Sequence, residues 1–226
     1  MGSTSSLPKR DEAMFITVEG IDGSGKSTAV GIIADHLRDR YQQDPLVTSE
    51  LNNTLFGRDI KRLLPWEVDP AAELYLILAA RAEHIQSVIR PAVADNKTVI
   101  CDRYLHSSIA YQGHGRGLPI SDIINAHVAM KPFPIPDLVF VLDVSPSTAQ
   151  ERMRARGQKD GFDKLGPAFF ERVRSGFQDP AGKRLVKQHM TIVNESITIE
   201  QLRSMLIACL DSYLSQRNLK RAANDG

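Results

Sequence analysis

Residues Gly20-Ile21-Asp22-Gly23-Ser24-Gly25-Lys26-Ser27 constrain this chain more than any other stretch. An apolar run, Met14-Phe15-Ile16-Thr17-Val18-Glu19, precedes them and an amphipathic segment, 26–41, follows. The order is strand, glycine loop, helix, and the pattern G-x-x-x-x-G-K-[ST] is the phosphate-binding P-loop. Glycines at Gly20, Gly23 and Gly25 let the backbone curl, so that N–H groups of Ile21, Asp22, Ser24 and their neighbours can face one anion. The helix that follows adds its positive N-terminal end, which carries Lys26, Ser27 and Thr28. Lys26 can reach the outer phosphates, and the Ser27 hydroxyl can ligate Mg²⁺. The bland alternative is a strand–helix turn with a chance Gly-Lys-Ser.

The rest of the chain alternates in the same way. Apolar, β-rich runs at 14–19, 46–50, 98–102, 138–144 and 190–194 show little polar alternation. Strands buried on both faces of a parallel sheet read like that. Helical patterns lie between them: 26–41 with Val30, Ile33, Leu37 and Tyr41 on one stripe; 71–94, which Pro91 kinks or ends; 147–156; and 199–214. The expectation is an α/β three-layer sandwich on a five-stranded parallel sheet, of the P-loop NTPase type. In such sheets ligands sit beyond the carboxyl ends of the strands. The P-loop, Glu50 and Asp102 all fall at such ends.

The chain has 226 residues, enough for one domain with a real core. Its formal net charge of +1 gives no global footprint for nucleic acid, so phosphate attraction must be local. No apolar run reaches membrane-spanning length. Cys101 and Cys209 read as two buried free thiols in a reducing cytoplasm. Residues 1–13 lack a secretory apolar segment and read as a flexible extension; 216–226 are polar and basic and read as a fraying tail.

A second layer of chemistry lies at Thr98-Val-Ile-Cys-Asp102-Arg103-Tyr104. An acid at a strand end beside a P-loop holds Mg²⁺, often through water. Arg103 offers a planar fork to a phosphate. The structural alternative is a simple ion pair between Asp102 and Arg103 or a neighbour. Asp22, a carboxylate inside the P-loop, is read either as a solvated loop acid or N-terminal helix partner, or as an anchor for a sugar hydroxyl or a metal-bound water.

Together these residues resemble the thymidylate kinase family, over roughly 14–215. The resemblance rests on Glu19-Gly-Ile-Asp-Gly-Ser-Gly-Lys-Ser-Thr28, Ala79-Ala-Arg81-Ala-Glu-His84, Ile89-Arg-Pro-Ala92 and Asp102-Arg-Tyr104. It continues in Ser107-Ser108-Ile-Ala-Tyr111-Gln-Gly-His-Gly-Arg-Gly117, in Pro136-Asp137-Leu and in Leu142-Asp143-Val, and looks bacterial-type. The resemblance implies a nucleoside monophosphate kinase that phosphorylates dTMP with ATP and Mg²⁺, usually as a homodimer. It implies that Lys26 and the loop amides bind ATP, that Asp22 lies near the monophosphate and 3′-hydroxyl, that Arg103 holds the acceptor phosphate, and that Asp102 lies near the metal. It places Arg81 and Ser108 at the base, Tyr111 against the sugar 2′ position, and Gln112 beside it. The basic stretch Arg152-Met-Arg154-Ala-Arg156, within a lid spanning about 152–165, resembles the segment that supplies a cation to the transferring phosphoryl; Arg152 and Arg156 are the candidates. The alternative for them is a solvated helix face.

Three departures from the family pattern bear on the acceptor. Thr-Arg-Glu-Pro-Gly-Gly-Thr appears as Thr48-Ser49-Glu50-Leu51-Asn52-Asn53-Thr54, with Glu50 kept and Arg58 a candidate replacement for the lost arginine. Ile77 stands where the family stacks an aromatic on the base, and Tyr75 is on the wrong helix face to replace it. The lid reads Asp160-Gly161-Phe162-Asp163, with Lys159 able to compensate for a missing arginine. A related deoxynucleotide such as dUMP is therefore an alternative acceptor. So is a non-catalytic nucleotide binder. A GTPase-like switch lacks its Asn-Lys-x-Asp guanine reader: Asn96-Lys97 is followed by Thr98-Val99.

Overall fold

The computed structural model describes residues 13–64, 68–157 and 162–224. The strands are β1 (Phe15–Glu19), β2 (Leu46–Ser49), β3 (Val99–Asp102), β4 (Leu138–Asp143) and β5 (Gln188–Val193). They form one sheet in the order β2-β3-β1-β4-β5. Every neighbouring pair is parallel.

Successive side chains of a strand point to opposite faces, and both faces here are covered. Ile16, Val18, Ile100, Leu138, Phe140 and Leu142 pack on one side with Ile33, Leu37, Leu206 and Leu210. Phe15, Val99 and Cys101 face the other side, against Leu78, Ile85 and Ile89. Val139 and Val141 join them there, packed with Phe169, Phe170 and Val173. The expected three-layer sandwich is thus present. The helices on the first face are α1 (Lys26–Tyr41) and α10 (Ile199–Asn224). Full burial of each Leu or Ile in these layers contributes about 1.5–3 kcal/mol. The edge strands β2 and β5 are only partly buried, which is why β5 reads least clearly as a strand.

The opposite layer is less regular. Helix α2 (Leu55–Leu63) leads to α3 (Pro70–His84), capped by Asp69, whose carboxylate accepts the Ala71 N–H at 2.9 Å. Pro91 neither ends nor breaks the segment that follows. A π-helical turn, Ile85–Ile89, carries the chain into α4 (Arg90–Ala94), with Pro91 in its first turn. A short α5 (Leu105–Ser108) runs into a second π segment, Ile109–Gly115, and then comes α6 (Ile120–Ala129). Next are α7 (Pro146–Ala155), α8 (Phe162–Gly176) and α9 (Pro180–Lys183). Ser145 caps α7, accepting the Thr148 N–H. Helix α10 continues to Asn224, past the Leu214 where its apolar stripe stops, so 216–224 is helical. Residues 1–12 and the end at 225–226 lie outside the described residues, as do Lys159, Asp160 and Gly161 of the expected lid. Both cysteines are free thiols. Among the described residues no helix is long and apolar enough to cross a membrane.

The parallel register sets the site. Val18 pairs with Asp102, and Ser49 pairs with Asp102 from the other side. The carboxyl ends of β1, β3 and β2 therefore finish level, and Glu19, Asp102 and Glu50 emerge together.

Candidate active site

Beyond those strand ends lies a cleft of about 560 Å³, lined by Lys26, Asp102, Arg103, Ile77, Arg81 and Tyr111 among others. One wall is the P-loop. Gly20 has φ +143°, and a Cβ there would sit 2.7 Å from the Leu142 carbonyl, so the loop can pass β4 only as glycine. Gly25 caps α1 in the left-handed region, leaving the first N–H groups of that helix without intrahelical partners. Asn194, just past β5, donates to the Ser24 carbonyl at 2.7 Å and pins the loop from the far side of the sheet.

Lys26 is nearly buried and folds back over the loop. Its Nζ donates to the Ile21 carbonyl at 2.9 Å and lies 3.9 Å from Asp22 Oδ1. Burial, aided by repulsion from Arg103, brings its ammonium down to about 8 despite the nearby carboxylates. Ser27 lines the same wall.

Arg103 adopts φ +72°, unusual for a residue with a side chain. The turn throws its guanidinium toward the P-loop rather than along the strand. Nη2 donates to Asp22 Oδ1 at 2.6 Å and Nη1 to Ser107 Oγ at 3.2 Å, while the group lies 5.1 Å above the Tyr111 ring. Burial opposes ionisation of Asp22, but Arg103 and then Lys26 outweigh it and hold the carboxyl down at about 2. Asp22 is half exposed, a solvated loop acid that also pairs with the arginine. Burial likewise pushes the Tyr111 phenol up to about 12.

The simple Asp102–Arg103 ion pair is not what forms. Asp102 Oδ1 is buried and has no hydrogen-bond partner among the described residues. A buried carboxylate oxygen left open beside Ser27 and a phosphate loop suits a hard cation or its water. No group of three or more His, Cys, Asp or Glu side chains among the described residues forms a dedicated metal cage. Mg²⁺ fits such a sparse donor set, because it keeps several waters and substrate oxygens as ligands.

The other end of the cleft is a buried polar network around Arg81, which is 2% exposed. Its Nε and Nη2 donate to the two oxygens of Glu50 at 2.5 Å. Nη2 also donates to the Tyr104 carbonyl at 3.0 Å and Nη1 to Ser108 Oγ at 2.9 Å. Nη1 reaches His127 Nε2 as well. That ring donates from Nδ1 to the Ile123 carbonyl at 2.6 Å, so its Nε2 lone pair faces the arginine. Burial and then Arg81 bring His127 down to about 3, which keeps it neutral. A guanidinium has five N–H donors, and all five find protein acceptors here. A base that meets Arg81 must therefore share a donor already in use. Glu50 faces the arginine, not the metal side.

Ile77 sits one turn before Arg81 on the cleft wall, while Tyr75 is 67% exposed on the other face, as its spacing implies. Gln112, on the second π segment, donates to Glu73 Oε1 at 2.6 Å. Arg116 holds the other Glu73 oxygen at 2.9 Å.

Several sequence expectations are sorted by this geometry. Arg58 does not replace the arginine missing from 48–54: its Nη1 donates to the Asn52 carbonyl, and it is not on the cleft wall. Lys61, one turn further along α2, is on that wall, with Nζ bound to Asn52 Oδ1 at 2.9 Å. The two lid arginines also separate. Arg156 lines the main cleft, whereas Arg152 donates to the Asn194 and Glu195 carbonyls. Both border a second cavity of about 320 Å³, with Thr28, Asn194, Thr198 and Ile199. Sequence reading did not single out Asn194, Glu73, Lys61 or His127. Only Asn194, closing an apolar run, carried a signal that position alone could have revealed.

Comparison with known proteins agrees with this fold. The sequence profile of the family described as Thymidylate kinase matches residues 18–206. A thymidylate kinase of Ectopseudomonas mendocina is 38% identical over 89% of this chain and 96% of its own length. That of Fervidobacterium nodosum is 37% identical over 89% of this chain and 100% of its own. The crystal structure of thymidylate kinase from Ehrlichia chaffeensis superposes with a TM-score of 0.71 at 32% identity, covering 88% of this chain and 100% of that one. On sequence and fold alike, the chain belongs to the thymidylate kinase family.

Proposed function

We propose that this chain transfers the γ-phosphoryl group of ATP to dTMP, yielding ADP and dTDP. The observation that carries the reading is one continuous cleft lined by Lys26, Asp102 and Arg103, by Tyr111 beneath that guanidinium, and by Ile77 and Arg81 of α3. The P-loop amides and Lys26 take the ATP phosphates, and the second cavity beside Thr28 and Arg152 takes the nucleoside. Arg103, held by Asp22 and Ser107, takes the phosphate of the acceptor. Tyr111, beneath that guanidinium, borders the sugar, and Ile77 gives the base an apolar wall. Gln112 is held by Glu73 at the same end.

The acceptor phosphate oxygen attacks the γ-phosphorus in line, and the β–γ bridging oxygen leaves with ADP. Charge spreads over the equatorial oxygens as the bond loosens, so what the protein supplies is position and positive charge. Lys26, Arg103 and Arg156 supply it from three elements, and Arg152 braces the base of the lid against the Asn194 and Glu195 carbonyls. Ser27 and Asp102 would hold Mg²⁺, which neutralises phosphate charge when bound. The exposed Leu55, Phe56 and Leu63 of α2 and Tyr75 of α3 support assembly as a homodimer. Two free thiols support a cytoplasmic setting.

Coupled ADP-release assays over dTMP, dUMP, dCMP, dAMP and dGMP test the reading. dTMP should be consumed with the highest kcat/KM. A folded protein that turns over none of them would overturn the assignment.

A further inference from the structure

Arg103 keeps its left-handed backbone although nothing in its side chain favours it. Three contacts hold the turn. Its own N–H bonds the Val18 carbonyl at 3.0 Å. The next N–H, of Tyr104, donates to Glu19 Oε1 at 2.8 Å. The Ser107 hydroxyl donates to Glu19 Oε2 at 2.6 Å, and its oxygen accepts Arg103 Nη1–H at 3.2 Å.

Two of these contacts end on one carboxylate, the last residue of β1. Glu19 is 0% exposed and is not on the cleft wall. It therefore does not itself border the cleft. Desolvation on burial pushes its carboxyl up to about 7, an expensive group to keep at a strand end for packing alone.

We infer that Glu19 is a positioning residue for Arg103: one carboxylate fixes the backbone turn through Tyr104 and the guanidinium through Ser107. The inference rests on the acceptor role proposed for Arg103. With Glu19 in place, the guanidinium is aimed before the acceptor arrives, and binding need not order it.

The test is steady-state kinetics on Glu19→Gln and Ser107→Ala, with Ser107→Thr as the conservative control. A glutamine amide keeps the Tyr104 bond through its oxygen but can only donate to Ser107 Oγ, so Glu19→Gln reverses that bond and removes the negative charge behind it. Ser107→Ala leaves Glu19 and its Tyr104 bond intact and cuts only the link to the guanidinium. Each should raise the KM for dTMP about tenfold, the order of one lost hydrogen bond to a charged group. The KM for ATP should stay within about twofold. Ser107→Thr should restore most of the loss. Glu19→Gln with Ser107→Ala should be no worse than the more impaired single variant, because both act through one path. Unchanged dTMP KM in both folded single variants overturns the inference, and so does full additivity of the two. A crystal structure of Glu19→Gln reads the same point without turnover. The guanidinium should leave Asp22; an undisturbed Arg103 overturns the inference even if the acceptor proves to be something other than dTMP. Failure of the wild-type protein to use any deoxynucleotide overturns the proposed reaction instead.

Discussion

Asp22 and Arg103, 81 residues apart in sequence, meet at 2.6 Å in an ion pair that joins the P-loop to the end of β3. The P-loop and the arginine that follows β3 are thereby held in one geometry. Asp22 is half exposed, so the pair is worth little to stability, under about 1 kcal/mol.

Asp22→Asn should therefore separate stability from function. A carboxyl held below its ordinary range stabilises the fold above that range, and the contribution fades as pH falls through about 2. Urea midpoints of wild type and variant should differ slightly at pH 7 and converge as pH falls from about 4 to about 2. The KM for dTMP should rise several-fold at pH 7. A variant with wild-type KM would show that Arg103 is aimed without Asp22.

Lys26 gives a proton-coupled signature. Its ammonium is depressed to about 8 in the free protein, so part of it is neutral there at pH 8. A bound triphosphate favours the charged form, and ATP binding at that pH should take up about half a proton. Calorimetric titrations in buffers of different ionisation enthalpy measure this directly. The uptake should shrink at pH 6.5. Lys26→Ala should lower turnover by two or more orders of magnitude with the melting temperature retained. No buffer dependence, or retained turnover, would contradict the phosphate role.

The Arg81–Glu50 pair should behave oppositely to Asp22, because both partners are buried. Glu50→Gln or Arg81→Met leaves one charge uncompensated and should cost about 3–5 kcal/mol in urea unfolding. The double change Glu50→Leu with Arg81→Met should recover much of that loss while dTMP turnover stays impaired. Equal loss in single and double variants would show that packing, not the stranded charge, sets the cost.

Ile77→Phe should lower the KM for dTMP a few-fold, since an aromatic face adds about 1 kcal/mol over aliphatic contact with a base. A higher or unchanged KM would place the base away from α3.

How much of this was legible in sequence follows from chain distance. The P-loop and the strands are local patterns, and the parallel register follows once the strands are known. Asp102 and Arg103 could be read because they adjoin an apolar run. The Arg81 network could not, since Glu50, Ser108 and His127 reach it from three other elements. Position along α2 hid Lys61: Arg58 is nearer the altered segment, but it is the residue one turn later that lines the cleft. The π segments were invisible as well, because they leave the apolar pattern intact while rotating Tyr111 and Gln112 by the width of one extra residue. Arg152 and Arg156, four apart, read as equivalent; the carbonyls of Asn194 and Glu195 are what tell them apart.

Single-turnover transfer from ATP labelled in its γ-phosphoryl, with enzyme in excess and dTMP present, tests the central claim most directly. The account predicts that the label appears in dTDP in one phase, with none on the protein and little as inorganic phosphate. Label released only as phosphate, or trapped on a side chain, would contradict it.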